Sequence, residues 1–410
     1  MYHWFVRLGF VFLLTFLPAA EGAAQKALAG KWRCHLECPG GEIQFGLNIE
    51  GSAFKLKAFV TNGNESIPVE SITATETEST FRLDFDHYDS FIRFALDSGR
   101  LSGVFKKTRG ADEVVELKFG GYRESEVAPA RAGREVAKSI DGRWMVDFES
   151  SDDPAVGVFK TNDDGRLSGT FLTTTGDYRY LDGEFKNGKM QLSCFDGAHA
   201  FLFLADLKED GTLKGDFWSS NTWHEPWTAK KDMDAKLPDA FEQTVLTKNH
   251  NISEFKFPNL DGELTSLVDE KFNAPARLIY VFGSWCPNCH DAAVYFKQLQ
   301  SKYGSDLSIL GLAFELTGDF SRDADQVKKY LKRHDVDYPV LVAGLSDKKL
   351  ATKSIPFLDR VRSYPTTIFV DAKNEVVAIH TGFTGPATGD AYEKLKTRFE
   401  IIIQKLVDEN

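Results

Sequence analysis

Two cysteines with two residues between them, Cys286 and Cys289, are followed directly by His290 in the stretch "VFGSWCPNCH". This pattern fits a redox dithiol, a covalent haem attachment site or half of a metal site. The apolar run "RLIYVFGSW" before the first cysteine predicts a buried strand, and a helical pattern begins at Pro287, where proline is tolerated. The N-terminus of a helix carries partial positive charge and unpaired N–H groups, and both favour a thiolate at Cys286.

The spacing gives the two sulfurs different roles. We expect Cys286 to be the nucleophile and Cys289, one helical turn later, to resolve a mixed disulfide. Trp285 would cover the dithiol and offer a flat apolar platform to a substrate chain. Pro365 precedes a predicted strand in "RSYPTTIFVD", and a cis bond after Tyr364 would turn the backbone there toward the dithiol to pair with an extended peptide. An ordinary trans turn proline is the alternative.

Haem and zinc are the competing interpretations of the cysteine pair. Haem would need a second axial ligand; no methionine follows Met233, although His334 and His380 remain. Zinc would need a fourth ligand, and consecutive cysteine and histidine side chains on a helix point about 100° apart. We therefore expect no metal and no cofactor. His290 is expected to be exposed, where it could modestly tune the thiolate.

Strands alternate with helices in the C-terminal segment 246–410, so βαβ units around a mostly parallel sheet are predicted. The first part of the chain instead repeats short alternating runs separated by Asp-Gly and Asn-Gly turns, which indicates antiparallel hairpins. The pattern G-x-L-x-G-x-F occurs three times there, as "GRLSGVF", "GRLSGTF" and "GTLKGDF". Two copies, 25–124 and 138–231, are predicted to form a barrel or sandwich, jointly or as a pair.

The stretch "WCPNC" after an apolar strand, followed by "YPTTIFVD", resembles the thioredoxin fold. The lead-in "FKFPNLDGELTSL" and the helix before "DYPVLVAG" resemble the TlpA/ResA-type branch of exported thioredoxin-like proteins. The resemblance covers roughly residues 250–410. It implies a thiol–disulfide oxidoreductase in which Cys286 attacks, Cys289 resolves and Pro365 is a substrate-orienting cis-proline. Pro287 would line the substrate site with the aromatic residues already named.

The sequence departs from the thioredoxin pattern behind the dithiol. The strand position six before the first cysteine, often a buried Asp in thioredoxins, is Tyr280 here. Proton transfer to Cys289 must therefore use another group or water. Glu315, at the end of "GLAFE", resembles an acid seen in this branch, the alternative being a solvated strand-end residue. Gly283 stands where a peroxiredoxin usually has Thr, so thiol peroxidase activity is kept only as an alternative.

Composition and the N-terminus restrict the cellular setting. A net charge of −11 argues against a nucleic-acid partner. Residues 1–24 combine one positive charge, an apolar run and small residues, which predicts a cleaved export signal, with an uncleaved anchor as the alternative. Membrane contact is not implied after signal removal. Five cysteines are too few for a disulfide-scaffolded exported chain of this length.

Three further cysteines and an aromatic group in the N-terminal half stay open. Cys34 and Cys38 would be about 13 Å apart on a regular strand, so a structural bridge requires a bulge or turn near Pro39. A second redox pair is the other alternative, and Cys194 is predicted to be a buried core thiol. The segment "WSSNTWHEPW" (218–227) could face a ligand or fill an edge-strand core.

The sequence therefore predicts an exported, periplasmic or otherwise extracytoplasmic, thiol–disulfide oxidoreductase with an N-terminal β domain. Protein thiols and disulfides are the expected substrates, together with a separate electron donor. The resembling branch favours reduction, with cytochrome c maturation as a candidate setting. A dithiol oxidant is the alternative, because direction depends on a reduction potential. A ligand-binding protein with a vestigial dithiol is the remaining hypothesis.

Overall fold

The computed structural model describes residues 27–52, 55–75, 79–126, 139–248 and 251–409. The predicted export signal and most of the segment between the two β copies lie outside the described residues. Within the described part of the chain, no helix has both the length and the apolar character needed to cross a membrane.

The first β unit is an open antiparallel sheet, a half-barrel, in the order β4-β3-β2-β1-β9-β8-β7-β6-β5. Alternation produces its buried face: in "TFRLDF" every second residue, Phe81, Leu83 and Phe85, is buried. Its strands are β1 (Gly30–Cys38), β2 (Gly41–Ser52), β3 (Lys55–Asn62), β4 (Glu65–Pro68), β5 (Ser71–Ala74), β6 (Thr80–Phe85), β7 (Ser90–Asp97), β8 (Arg100–Thr108) and β9 (Val114–Arg123).

The second β unit is a closed eight-stranded barrel, because β11 pairs with both β10 and β12 and the remaining strands complete the circle. Its strands are β10 (Gly142–Phe148), β11 (Ala155–Thr161), β12 (Leu167–Thr173), β14 (Leu181–Lys186), β15 (Lys189–Phe195), β16 (Ala200–Leu207), β17 (Leu213–Ser219) and β18 (Trp223–Lys231), with the short β13 (Gly176–Asp177) beside β12. The two units begin alike: the indole N–H of Trp32 donates to Leu28 O at 2.9 Å, and that of Trp144 to Ile140 O at 2.8 Å.

The C-terminal unit is a mixed five-stranded sheet with four helices, in the order β23-β22-β21-β24-β25. A two-stranded ribbon, β19 (Lys256–Pro258) and β20 (Leu264–Ser266), precedes it. The sheet strands are β21 (Ala276–Phe282), β22 (Leu307–Glu315), β23 (Val340–Leu345), β24 (Thr366–Asp371) and β25 (Val376–Thr381). The helices are α1 (Pro287–Tyr303), α2 (Phe320–His334), α3 (Lys348–Ser354) and α4 (Asp390–Asp408).

This arrangement is a thioredoxin-like fold preceded by an all-β domain, so the predicted fold class is confirmed. One detail differs from the expectation of a mostly parallel sheet. Strand β21 pairs in parallel with β22, but β24 and β25 are antiparallel. Strands β24 and β25 are joined by the short turn after Asp371, and a connection of that length can join only antiparallel neighbours.

The structure contains no Cys34–Cys38 bridge, because both thiols are free. Strand β1 stays in register with β2 from Gly30 to Cys38, so the bulge that a bridge required is absent there and the two residues keep extended-strand spacing. Cys194 is fully buried in the barrel, as predicted.

The tryptophans of segment 218–227 do not form one cluster: Trp223 and Trp227 share a face of β18, but Trp223 lies at the exposed start of the strand. Trp227 is buried in the barrel core, whereas Trp223 is 49% exposed. Trp218 stacks on His224 at 4.6 Å between ring centroids. The segment is therefore an ordinary barrel strand pair with one core tryptophan.

Candidate active site

Cys286 is the N-cap residue of α1, and Pro287 is the first helical residue. The fully buried strand β21 and the short loop after it deliver the cysteine to this position. A side chain at Gly283 would lie 2.2 Å from the indole nitrogen of Trp285, so the loop requires glycine there. The Cys286 thiol donates to Tyr364 O at 3.3 Å, and the residue is only 7% exposed.

Cys289 lies behind Cys286 and is fully buried. Burial raises the pKa of the Cys289 thiol well above its ordinary value, and its hydrogen bond with Cys286 acts in the same direction. The phenol of Tyr280 donates to Cys289 O at 2.7 Å and that of Tyr330 donates to the same oxygen at 3.0 Å. Tyr338 extends this group, since its hydroxyl lies 3.5 Å from that of Tyr330.

The Tyr364–Pro365 peptide bond is cis, as the sequence suggested. Tyr364 also packs on Trp285, with ring centroids 5.5 Å apart and planes at 78°. The Trp285 indole N–H donates to Phe314 O at 2.9 Å, which fixes the ring beside the dithiol. Trp285, Cys286 and Tyr364 therefore lie on one surface.

Glu315 is buried at the end of β22 and is not a solvated strand-end residue. Its carboxylate accepts the Ser284 N–H at 2.8 Å and the Ser284 hydroxyl at 2.6 Å. Burial raises the pKa of Glu315 from 4.5 to about 8, and the two hydrogen bonds from Ser284 oppose that rise. A carboxyl whose pKa is raised to about 8 therefore contacts Ser284, which lies two residues before Cys286 in the sequence.

His290 is buried, so the expected surface position is wrong. One ring nitrogen lies 2.7 Å from Ser284 O and the other 2.6 Å from Nε2 of His334, and the ring packs on Tyr88 at 4.5 Å. Burial lowers the pKa of His290 well below its ordinary value. The amphipathic pattern of α1 does not predict this burial, because Tyr88, which covers His290, belongs to the half-barrel.

The imidazoles that could have supported haem or zinc are engaged elsewhere. His334 contacts His290, and His380 is buried with Nδ1 3.0 Å from Gly382 O. In the described ranges, no group of three or more His, Cys, Asp or Glu side chains is arranged to hold a metal ion.

A cleft of about 520 Å³ leads to Cys286 between the thioredoxin-like unit and the barrel. Trp285 and Tyr364 form one wall, and Tyr178 and Phe201 of the barrel form part of the other. This size is within the range of ligand pockets, about 300–1,000 Å³. The dithiol is therefore reached through an opening that the β domain helps to form.

The barrel is held against this site by hydrogen bonds between side chains and backbone groups. The hydroxyl of Ser363, two residues before Pro365, donates to Thr175 O at 2.6 Å. The backbone N–H of Gly385 donates to Asp177 Oδ2 at 2.6 Å. The hairpin after β12 thus docks directly on the loops around the dithiol.

Sequence reasoning missed Ser284, Tyr330, Tyr338 and the barrel side of the cleft. The position of Ser284 beside the cysteine motif was a usable signal, because a polar residue between a buried strand and the dithiol needs a partner. Tyr330 and Tyr338 lie more than 40 residues after Cys289 and carry no local signature. The barrel residues become relevant only through packing between units.

A thioredoxin-like fold with a dithiol at a helix N-terminus defines the class of the C-terminal unit. Residues 247–395 match the family model described as Redoxin. The thioredoxin-like protein YneN of Bacillus subtilis (strain 168) is 28% identical over 141 residues, which are 34% of this chain and 75% of that protein.

Two solved structures show the extent of structural similarity. A thiol-disulfide oxidoreductase from Bacteroides fragilis NCTC 9343 is 21% identical with a TM-score of 0.26, covering 34% of this chain and 96% of its own. The pneumococcal exposed lipoprotein thioredoxin Etrx1 from Streptococcus pneumoniae strain TIGR4 is 26% identical with a TM-score of 0.24, covering 35% and 98%. Both match about a third of this chain.

Proposed function

We propose that the protein is a thiol–disulfide oxidoreductase that reduces protein disulfides through Cys286 and Cys289. The observation that carries this proposal is the position of the Cys286 thiol at the N-terminus of α1, 3.3 Å from Tyr364 O and facing the cleft. The helix N-terminus favours negative charge at Cys286, and the Tyr364 carbonyl beside the cleft can accept a hydrogen bond from an extended substrate.

The reaction transfers two electrons from the dithiol to the substrate. The Cys286 thiolate attacks one sulfur of the substrate disulfide, the S–S bond breaks, and the other substrate sulfur leaves as a thiolate that takes up a proton. Cys289 then loses its proton and attacks the Cys286 sulfur. The second substrate thiol is released, the Cys286–Cys289 disulfide forms, and a separate thiol donor must reduce it.

The second step requires a proton acceptor, because burial raises the pKa of Cys289. We assign this role to Glu315, which contacts Ser284 next to the cysteine motif and would act through that hydroxyl or an intervening water. Its pKa of about 8 suits a group that accepts and returns a proton near neutral pH. The phenols of Tyr280 and Tyr330 instead fix the backbone of Cys289.

The direction and location of the reaction belong to the same proposal. The TlpA/ResA-type resemblance supports a reductant, and the predicted export signal supports a periplasmic or other extracytoplasmic site. Equilibration in defined glutathione buffers measures the reduction potential. A value near those of reducing thioredoxins, about −270 mV, supports the reductant, whereas a value near about −120 mV would make the protein an oxidant.

Trapping of a mixed disulfide tests the two cysteine roles. Cys289→Ser should accumulate a covalent adduct between Cys286 and a peptide disulfide, and Cys286→Ser should abolish reduction. Cys38→Ser, at a partly buried cysteine of β1, is the matched control and should react at the wild-type rate. Unchanged turnover in Cys286→Ser would rule out the proposal.

A further inference from the structure

A buried arginine of the barrel reaches the helix that carries the dithiol. Arg179 lies between β13 and β14 with a left-handed φ of 58°, and Asp177 Oδ1 accepts its backbone N–H at 2.7 Å. Its Nη1 donates to Asp291 Oδ2 at 2.6 Å and, more weakly, to Pro287 O at 3.4 Å. Since Pro287 directly follows Cys286, the guanidinium contacts the first turn of α1.

The same guanidinium connects all three units. Its Nη2 donates to Glu65 Oε1 of the half-barrel at 2.7 Å, and its Nε lies 3.2 Å from Asp196 Oδ2 of the barrel. The Arg179 side chain is only 8% exposed, and Asp196 is 1% exposed. Unpaired buried charges are strongly destabilising, so Arg179 helps to compensate these carboxylates, together with His199 in the case of Asp196.

The charges at this junction lie on and beside the helix that begins after Cys286. Asp291 lies five residues after it on α1, about 7.5 Å along the helix axis, and its negative charge opposes a thiolate. The positive charge of Arg179 favours the thiolate. Burial raises the pKa of Asp291 to about 7, while Arg179 lowers it and Asp177, Glu65 and Asp196 raise it.

We propose that Arg179 is a positioning residue of the dithiol, through which the barrel holds the first turn of α1 and favours the Cys286 thiolate. The inference rests on the proposed function. It also gives the β domain a role in catalysis. A stabilised thiolate stabilises the reduced dithiol and makes its reduction potential less negative. The barrel thus helps to determine how strongly the dithiol reduces its substrates.

The test compares dithiol–glutathione equilibrium constants of full-length variants at pH 8, where Asp291 is mostly ionised. A unit charge at about 8 Å in an effective dielectric constant of about 40 changes such a constant about fivefold, which is about 20 mV for two electrons. Arg179→Gln should shift it about fivefold toward the disulfide, and Arg179→Lys should recover most of the shift. Asp291→Asn should move it in the opposite direction. Arg166→Gln is the control, because Arg166 pairs with Asp182 within the barrel.

The outcomes separate this inference from the proposed function. Failure of the wild-type dithiol to exchange with glutathione would refute the proposed function. If the wild type exchanges, then shifts below twofold in Arg179→Gln and Asp291→Asn, or shifts of the same sign, would overturn the inference. If Arg179→Gln does not fold, the shift in Asp291→Asn alone tests the inference. That variant keeps Arg179 paired with Glu65 and Asp196.

Discussion

Replacement of Glu315 by Gln should make the protein progressively more stable than the wild type as the pH rises. The pKa of Glu315 is raised by burial from 4.5 to about 8, so the folded protein binds this proton more tightly than the unfolded chain does. The resulting stabilisation is complete below about pH 4.5 and is lost as the pH rises to about 8. Glutamine carries no titrating proton and can keep the amide-oxygen contact with Ser284.

The size of the effect follows from proton linkage. Between these two pKa values the wild type loses about 1.4 kcal/mol per pH unit relative to the variant, which amounts to about 2.5 kcal/mol between pH 5 and pH 7. Other titrating groups are common to both proteins and cancel in the difference. That change is a large fraction of the stability of an ordinary domain, about 5–15 kcal/mol.

Urea denaturation of the reduced proteins at pH 5, 6, 7 and 8 measures this difference. Ser284→Ala provides a second arm: its hydroxyl lowers the pKa of Glu315, so its removal should extend the loss of stability above pH 8. The same Glu315→Gln protein should show slower release of a trapped mixed disulfide, because it cannot accept the Cys289 proton. Parallel stability profiles for wild type and Glu315→Gln would refute the assigned titration.

Three other outcomes can be measured directly. Because the dithiol opens into a cleft of about 520 Å³, a short peptide disulfide should be reduced with kcat/KM at least about tenfold above that of a folded protein disulfide, and equal values would contradict this reading. Under native conditions an alkylating reagent should modify Cys38 but not Cys34 or Cys194, and a Cys34–Cys38 linked peptide in mass spectrometry would disprove the free-thiol structure. Tyr330→Phe removes a hydroxyl that donates to Cys289 O and should destabilise by about 1 kcal/mol in urea, so an unchanged midpoint would argue against that contact.

The sequence was most informative where local chemistry and local structure coincide. The cysteine spacing, the proline at the helix start and the apolar strand before them predicted the N-cap position of Cys286. The hairpin pattern predicted two all-β copies but not their different closure. Whether β11 meets β12 around a barrel depends on strand length and curvature over the whole sheet, and these are not encoded by alternation.

Predictions failed where a side chain is covered by a distant segment. His290 was placed at the surface because α1 alone gives no reason for its burial, and Tyr88 of the half-barrel covers it. Glu315 is also buried by a segment distant in sequence, and its burial excludes the solvated strand-end position that was the alternative to a functional role. An acidic residue at a strand end is normally solvated, but here Ser284 supplies both donors that a buried carboxylate needs.

Burial by the β domain also constrains the chemistry itself. Cys286 lies at the meeting point of a helix N-terminus, a cis-proline loop and the barrel, so a substrate must satisfy all three at once. The thioredoxin-like unit supplies the two sulfurs and the barrel supplies Arg179, whose charge reaches the same helical turn. A change in how the barrel docks therefore alters both access to the sulfur and the free energy of its thiolate. Substrate choice and reduction potential should accordingly change together in variants of this interface.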